Sequence, residues 1–75
     1  MNEREKQLKM LEKACFKCLM ENGSLKHCFA VNYWIDQQVR KCFEIGITAS
    51  EVSDAVDYSI NLYERWRQRQ AIRKV

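Results

Sequence analysis

Apolar residues recur at intervals of three and four along three stretches of the chain, a spacing that is typical of one face of an α-helix. The first stretch runs from Asn2 to about Glu21. Its apolar stripe is Leu8, Leu11, Cys15, Cys18 and Leu19. Asn2 has the side chain of a helix N-cap, and Asn22-Gly23 is typical of a left-handed C-cap. The pattern therefore predicts a first helix with one buried stripe.

The second stretch, from Leu25 to about Ile45, is apolar over a broader arc. Its seam is formed by Cys28, Val31, Ile35, Val39, Cys42 and Ile45. The seam is widened on both flanks by Phe29, Ala30, Trp34 and Phe43. An arc of this width predicts contacts with two other elements, so this helix is expected to be the central one. Gly46 is expected to end it.

The third stretch runs from Thr48 to Gln70. Thr48 and Glu51 form a capping box, so a helix is expected to begin there. If the stretch is one long helix, its buried stripe consists of Val52, Val56, Ser59, Tyr63 and Trp66. These residues follow one another at spacings of four and three, as a continuous helix requires.

A tight turn at Asp57 to Ser59 is the alternative to a single long third helix. The turn buries Tyr58, whereas the straight helix exposes Tyr58 and buries Ile60. The predicted fold class is all-α in either case: a small bundle of three long helices, or of four short-to-long helices if residues 57–59 form the turn. Residues 1–75 are expected to be a single helical domain with a basic C-terminal arm.

Composition agrees with a helical fold and limits its size. The 75 residues include no proline and two glycines, and 47% of them are hydrophobic. This composition suits uninterrupted, packed helices and argues against disorder. So short a chain holds one small core, and a homodimer or a protein partner is expected to add stability. Neither a membrane-spanning apolar run nor a signal peptide is apparent, so a cytoplasmic protein is expected.

Four cysteines and one histidine raise the question of a metal site. Cys15 and Cys18 form a CxxC pair, and His27 and Cys28 follow after the turn, so four candidate zinc ligands are present. Both pairs lie in amphipathic helices without the glycine-containing knuckle of zinc sites, and all four cysteines fall on apolar seams. The cysteines are therefore interpreted as core residues, and no metal or other cofactor is expected.

A disulfide is the alternative for two of these cysteines. Cys18 and Cys28 are placed almost symmetrically about Gly23, where a helical hairpin can bring them together. Their spacing resembles one half of the twin CX9C motif of small intermembrane-space proteins. The second half of that motif is missing, because Cys28 and Cys42 have a different separation. In a reducing cytosol such a bond does not persist.

No arrangement typical of an active site is found in the sequence. The single histidine, His27, adjoins Cys28, and neighbouring side chains on a helix point in different directions. A thioredoxin-like CxxC lies at the start of a helix, whereas Cys15 and Cys18 lie in mid-helix. The chain also lacks a glycine-rich phosphate loop. It is therefore predicted to be non-enzymatic and to have no small-molecule substrate.

Charge is distributed unevenly along the chain. The formal net charge is +3, which is too small by itself to imply nucleic-acid binding. The segment from Glu51 to Asp57 is acidic. The C-terminus is strongly basic and contains Arg65, Arg67, Arg69, Arg73 and Lys74. A basic C-terminal end of this kind is compatible with phosphate contacts.

Residues 48–70 also have a bipartite pattern. Its apolar positions are Val52 and Val56 in the first half and Tyr63 and Trp66 in the second, joined by Asp57-Tyr58-Ser59. This pattern resembles the helix-turn-helix unit of phage repressors, small phage transcription activators and transposase N-terminal domains, which usually has glycine where this chain has Asp57. The resemblance implies that DNA is contacted by Ser59, Asn61, Arg65, Arg67, Gln68, Arg69 and Arg73.

Two functions from different classes are expected from these features. The first is a small regulatory protein that binds nucleic acid through the C-terminal helix-turn-helix-like segment. The alternative is a helical adaptor, inhibitor or chaperone that docks on a protein partner and does not bind DNA. The partner surface of this alternative consists of Trp34, Phe43, Tyr63 and Trp66.

Overall fold

Three helices make up the part of the chain that the structure describes. The computed structural model describes the backbone of residues 2–23 and 33–73 and the side chains of residues 2–23 and 34–72. In chain order the helices are α1 (Glu3–Asn22), α2 (Tyr33–Glu44) and α3 (Ala49–Arg73). No strand occurs in the described ranges, which confirms the prediction of an all-α bundle of three helices.

The limits of α1 follow from the residues at its two ends. The side chain of Asn2 accepts a hydrogen bond from the backbone N–H of Glu5 at 2.8 Å, and Glu3 and Glu5 lie at the positive end of the helix dipole. At the other end, Gly23 adopts a left-handed φ of 76°, and its N–H donates to the carbonyl of Leu19 at 2.7 Å. Both predicted caps are confirmed.

A capping box begins α3. The hydroxyl of Thr48 accepts from the backbone N–H of Glu51 at 3.2 Å, and the Glu51 carboxylate accepts from the backbone N–H of Thr48 at 3.4 Å. Before it, Gly46 has a φ of 88°, a left-handed conformation that glycine adopts without steric cost. The predicted break between the second and third helices is therefore confirmed.

Residues 57–59 lie inside α3, which is uninterrupted. The tight turn expected in one of the two interpretations is not formed, and the straight-helix interpretation is confirmed. Tyr58 is 52% exposed, as the straight helix predicts, and Ser59 is fully buried. Ile60, which the straight helix was expected to bury, is half-buried. The Ser59 hydroxyl donates to the carbonyl of Ala55 at 3.0 Å and lies 3.3 Å from the carbonyl oxygen of Glu12. These contacts satisfy the Ser59 hydroxyl in the core, so the residue is accommodated in a straight helix.

Asp57 offers a direct test of the uninterrupted helix. It is exposed within α3, where glycine is less favourable than alanine by about 1 kcal/mol. We expect the Asp57→Ala variant to exceed the Asp57→Gly variant in free energy of unfolding by about this amount, as measured by urea denaturation followed by circular dichroism. A left-handed turn at this position would reverse the order, because glycine is favoured there.

α1 lies between the other two helices. It contacts both of them, whereas α2 and α3 contact each other little. α1 and α3 run parallel, because the Arg4–Glu51 ion pair and the hydrogen bond between Ser59 and Glu12 both join residues 47 positions apart. Because both contacts join residues with the same separation in sequence, the two helices lie side by side in a constant register.

The expectation that the second helix is central is wrong for the described residues. The flanking residues of α2, Trp34 and Phe43, are 43% and 50% exposed, so the apolar arc of α2 covers only one neighbour. α1 takes the central position because its buried surface contacts both other helices. That surface includes Leu11, Ala14, Cys15, Cys18 and Leu19, each at most 4% exposed.

A pair of glutamines joins α1 to α2 inside this mostly apolar core. Gln38 is 2% exposed, and the side-chain amide of Gln7 donates to its side-chain oxygen at 2.8 Å. Beside it, Ile35 and Cys42 are fully buried. The apolar pattern did not indicate Gln38 as a core residue, since a buried amide is stable only where a partner such as Gln7 satisfies it.

Candidate functional site

A groove of about 570 Å³ runs between α1 and α3. Its apolar floor consists of Phe16, Met20, Tyr58, Leu62 and Trp66. Tyr58 and Met20 are about half exposed, at 52% and 48%, and the other three are half-buried. We refer to this feature as the α1/α3 groove. It is a continuous apolar surface that the helices of the described chain do not cover.

The groove follows from two rows of residues that share an interval of four. Tyr58, Leu62 and Trp66 form such a row on α3, and Phe16 and Met20 form one on α1. Residues four apart lie one above another on the same face of a helix. Because α1 and α3 are parallel, the two rows face a common channel. The spacing is visible in the sequence, but the register between the helices is not.

An aromatic cluster supports the floor of the groove. The ring of Phe16 meets the ring of Tyr63 edge-on, with centroids 6.4 Å apart, and meets Trp66 in the same way at 6.4 Å. Tyr63 and Trp66 are stacked, with centroids 6.0 Å apart. These are preferred aromatic geometries. Because Tyr63 is buried, the cluster anchors the exposed part of Trp66 to the core.

Charged residues line the rim of the groove. Three lysines lie along α1 at intervals of four: Lys9, Lys13 and Lys17. Arg69 lies on the α3 side, and Glu12 is the one acidic residue of the lining. The four basic side chains are exposed, whereas Glu12 is half-buried. The rim therefore has an excess of positive charge around an apolar floor.

The structure places the residues expected to bind nucleic acid on different sides of α3 and in the core. Asn61, Arg65 and Gln68 are exposed and, at about 100° per residue, lie on one side of α3. Arg67 lies on another side, and its guanidinium is 5.9 Å from the ring centroid of Tyr63. The expected nucleic-acid contacts are thus not on one surface.

Three further residues of that set have different positions. Ser59, which the helix-turn-helix resemblance places in the DNA groove, is instead in the core, because the helix is straight at that position. Arg69 is exposed and lines the α1/α3 groove. The side chain of Arg73 lies outside the described residues.

The four residues expected at a protein partner surface do not form one patch. Trp34 and Phe43 are exposed, but at about 100° per residue they lie on opposite sides of α2. Tyr63 is buried, with 9% of its surface exposed. Of the four, Trp66 alone lines the α1/α3 groove. Lys9, Lys13, Met20 and Leu62, which also line it, were not among the sequence-based candidates.

Cys15, Cys18 and Cys42 lie in the core, as the apolar pattern predicted for them. Cys15 and Cys42 are buried free thiols, whereas Cys18 is disulfide-bonded, so for Cys18 the alternative of a disulfide holds and the interpretation as a simple packing residue is wrong. Cys28, the partner of Cys18 considered above, lies outside the described residues. Burial raises the pKa of the Cys15 thiol to about 11, with a further increase from the charge of Glu12, and burial also raises the pKa of Cys42. Thiols whose pKa is raised above the ordinary value are poor nucleophiles at neutral pH.

One carboxylate beyond the groove, that of Glu51, forms an exposed ion pair. A single guanidinium nitrogen of Arg4 lies 2.7 Å from each carboxylate oxygen of Glu51. The hydrogen bond from Arg4, followed by the bond from the Thr48 backbone, lowers the pKa of Glu51. Since the folded-state pKa is lowered, this contribution to stability is present at neutral pH and is lost as the pH falls through that pKa.

Two features are absent from the described ranges, a metal-binding cluster and a membrane-spanning helix. Residues 2–23 and 33–73 contain no group of three or more His, Cys, Asp or Glu side chains that could hold a metal ion. His27 and Cys28 lie outside these ranges. Among the helices of the same ranges, none has the length and apolar character needed to cross a membrane.

Comparison of the chain with protein-family models, with curated proteins and with solved structures gives no match. The geometry and chemistry of the described residues are therefore the basis for a functional assignment.

Proposed function

We propose that this chain is a non-enzymatic docking module that binds a helical segment of another protein in the α1/α3 groove. The observation that carries the proposal is the apolar floor of the groove, where Met20 and Tyr58 remain about half exposed next to Trp66. An exposed apolar surface with a charged rim is typical of protein interaction sites.

The dimensions of the groove favour a helix as the ligand. Its α1 wall extends from Lys9 to Met20, which is about 17 Å at 1.5 Å per residue. Three turns of a partner helix span about 16 Å and present anchors at positions i, i+3 or i+4, and i+7. Binding of an extended peptide as an added strand needs the edge of a sheet, and the described ranges contain no strand.

The aromatic cluster provides a preorganised anchor for such a helix. Trp66 is held between Phe16 and Tyr63 before any ligand arrives. A side chain that is already fixed loses little conformational freedom on binding, and tryptophan and tyrosine are enriched among residues that dominate binding energy. Trp66 is therefore expected to be the centre of the interface.

Selection from a synthetic library of helical peptides, each of about 16 residues, tests this proposal. The chain contains two tryptophans, so a Trp34→Phe variant retains Trp66 as a fluorescent reporter in the groove. We expect selected peptides to bind the variant saturably and to shift the Trp66 emission to shorter wavelength. A failure to enrich any peptide, or saturable binding that leaves the Trp66 emission unchanged, would contradict the proposal.

Nucleic-acid binding is a second candidate function, favoured by the exposure of Asn61, Arg65 and Gln68 on one side of α3. With Ser59 buried and residues 57–59 helical, such binding would use a straight helix. Affinity for duplex DNA, measured by fluorescence anisotropy, should then fall steeply with salt, and Arg65→Ala should weaken it by about fivefold or more. An affinity that is independent of both changes would exclude this function.

A further inference from the structure

We infer that the partner helix is acidic: the apolar stripe that enters the α1/α3 groove is flanked by Asp or Glu residues. This inference rests on the proposed docking function and specifies the chemistry of the ligand. A helix with an apolar stripe alone would satisfy the groove floor. The rim of the groove adds a second requirement, which is negative charge on both sides of that stripe.

The rim carries four basic side chains and one acidic side chain. Lys9, Lys13 and Lys17 follow one wall, Arg69 lies on the other, and all four are exposed. A helix lying along the groove would have its flanks next to both walls. Carboxylates at those positions would form ion pairs, whereas basic residues would meet like charges. Glu12 is half-buried and opposes the basic residues only in part.

None of the four basic side chains of the rim forms an ion pair with an acidic residue of the described chain. The ion pairs among the described residues are Arg4–Glu51 and Arg40–Asp36, and none of the rim cations takes part in them. Lys17 does have a contact within the chain, since its amino group lies 6.0 Å from the ring centroid of Trp34. The unpaired positive charge is thus available to a ligand.

The same charge pattern disfavours a second copy of the chain as the occupant. Two copies that met groove to groove would bring Lys9, Lys13 and Arg69 of one copy toward the same basic residues of the other. Such juxtaposed like charges oppose association. Duplex DNA would satisfy the charge but not the apolar floor formed by Met20, Leu62 and their neighbours. An acidic amphipathic helix satisfies both.

Three versions of one selected peptide test the inference. They share the same apolar stripe and differ only at the flanking positions, which are all Glu, all Gln or all Lys. With the wild-type chain at about 50 mM salt, we expect the Glu peptide to bind about tenfold more tightly than the Gln peptide, and the Lys peptide most weakly. At about 500 mM salt the three affinities should converge, because salt screens exposed charges.

A charge-reversed groove provides the matched comparison. In the Lys9→Glu/Lys13→Glu variant the order of the three peptides should invert, whereas Lys6→Glu/Lys41→Glu, which makes the same change in net charge away from the groove, should retain the wild-type order. Lys6 and Lys41 are exposed and do not line the groove. Circular dichroism confirms that both variants are folded before the titrations.

The outcomes distinguish this inference from the function on which it rests. Equal binding of all three peptides in the groove would overturn the acidic partner and leave the docking function intact. Absence of binding by every peptide would overturn both. Self-association that Met20→Glu abolishes, or displacement of the Glu peptide by duplex DNA, would assign the groove to a second copy or to nucleic acid and would equally overturn the inference.

Discussion

Replacement of Leu11 by alanine is expected to lower the free energy of unfolding by about 3 kcal/mol, within the range measured for such changes in protein cores. Leu11 is fully buried at the centre of α1, the helix that contacts both others. The neighbouring residues are held by two interfaces and cannot collapse freely into the cavity. A chain of this size has a total stability of only about 4 to 11 kcal/mol, so the variant loses a large share of it.

Met10→Ala is the matched control for this experiment, because Met10 lies next to Leu11 on α1 but is 45% exposed. We expect it to change stability by less than about 0.5 kcal/mol. Urea denaturation followed by far-ultraviolet circular dichroism measures both variants. Equal effects of the two substitutions would contradict the burial of Leu11 in the core.

Replacement of Met20 by glutamate is expected to weaken binding of a selected helical peptide by at least about tenfold. Met20 forms part of the apolar floor of the groove. A carboxylate at that position would be covered by the apolar stripe of the peptide, and an unpaired charge is costly to remove from water. Since Met20 is 48% exposed in the free chain, the stability of the variant should stay near that of the wild type.

Met10→Glu distinguishes an effect in the groove from a general effect of added negative charge. Met10 is 45% exposed, lies on the same helix and does not line the groove. Peptide titrations followed by Trp66 emission in the Trp34→Phe background should give a wild-type affinity for this variant. Equal losses in the Met10 and Met20 variants would place the binding site elsewhere.

Features that depend on neighbouring residues were predictable from the sequence. The caps at Asn2 and Gly23 and the capping box of Thr48 and Glu51 form within a few residues of chain. The choice between one third helix and two was harder. Each interpretation buries one apolar neighbour of Ser59: the turn buries Tyr58, and the straight helix buries Ile60. Tertiary packing decides between them.

Features that depend on residues distant in sequence were not predictable in the same way. The broad arc of α2 indicated a central helix, but exposure of Trp34 and Phe43 shows that neither flank of that arc is covered. The α1/α3 groove depends on the register of two helices in which residues 47 positions apart in sequence lie side by side. Its rows of Lys and apolar residues at intervals of four are visible in the sequence, but no local pattern indicates that Met20 and Trp66 face the same channel.

Backbone amide chemical shifts recorded during titration with a selected peptide test the docking function most directly. We predict that the largest changes occur at Lys13, Met20 and Leu62 and at the indole N–H of Trp66, with little change at Phe43. This pattern would place the peptide between α1 and α3. Changes centred on α2, with the groove residues unaffected, would contradict the account.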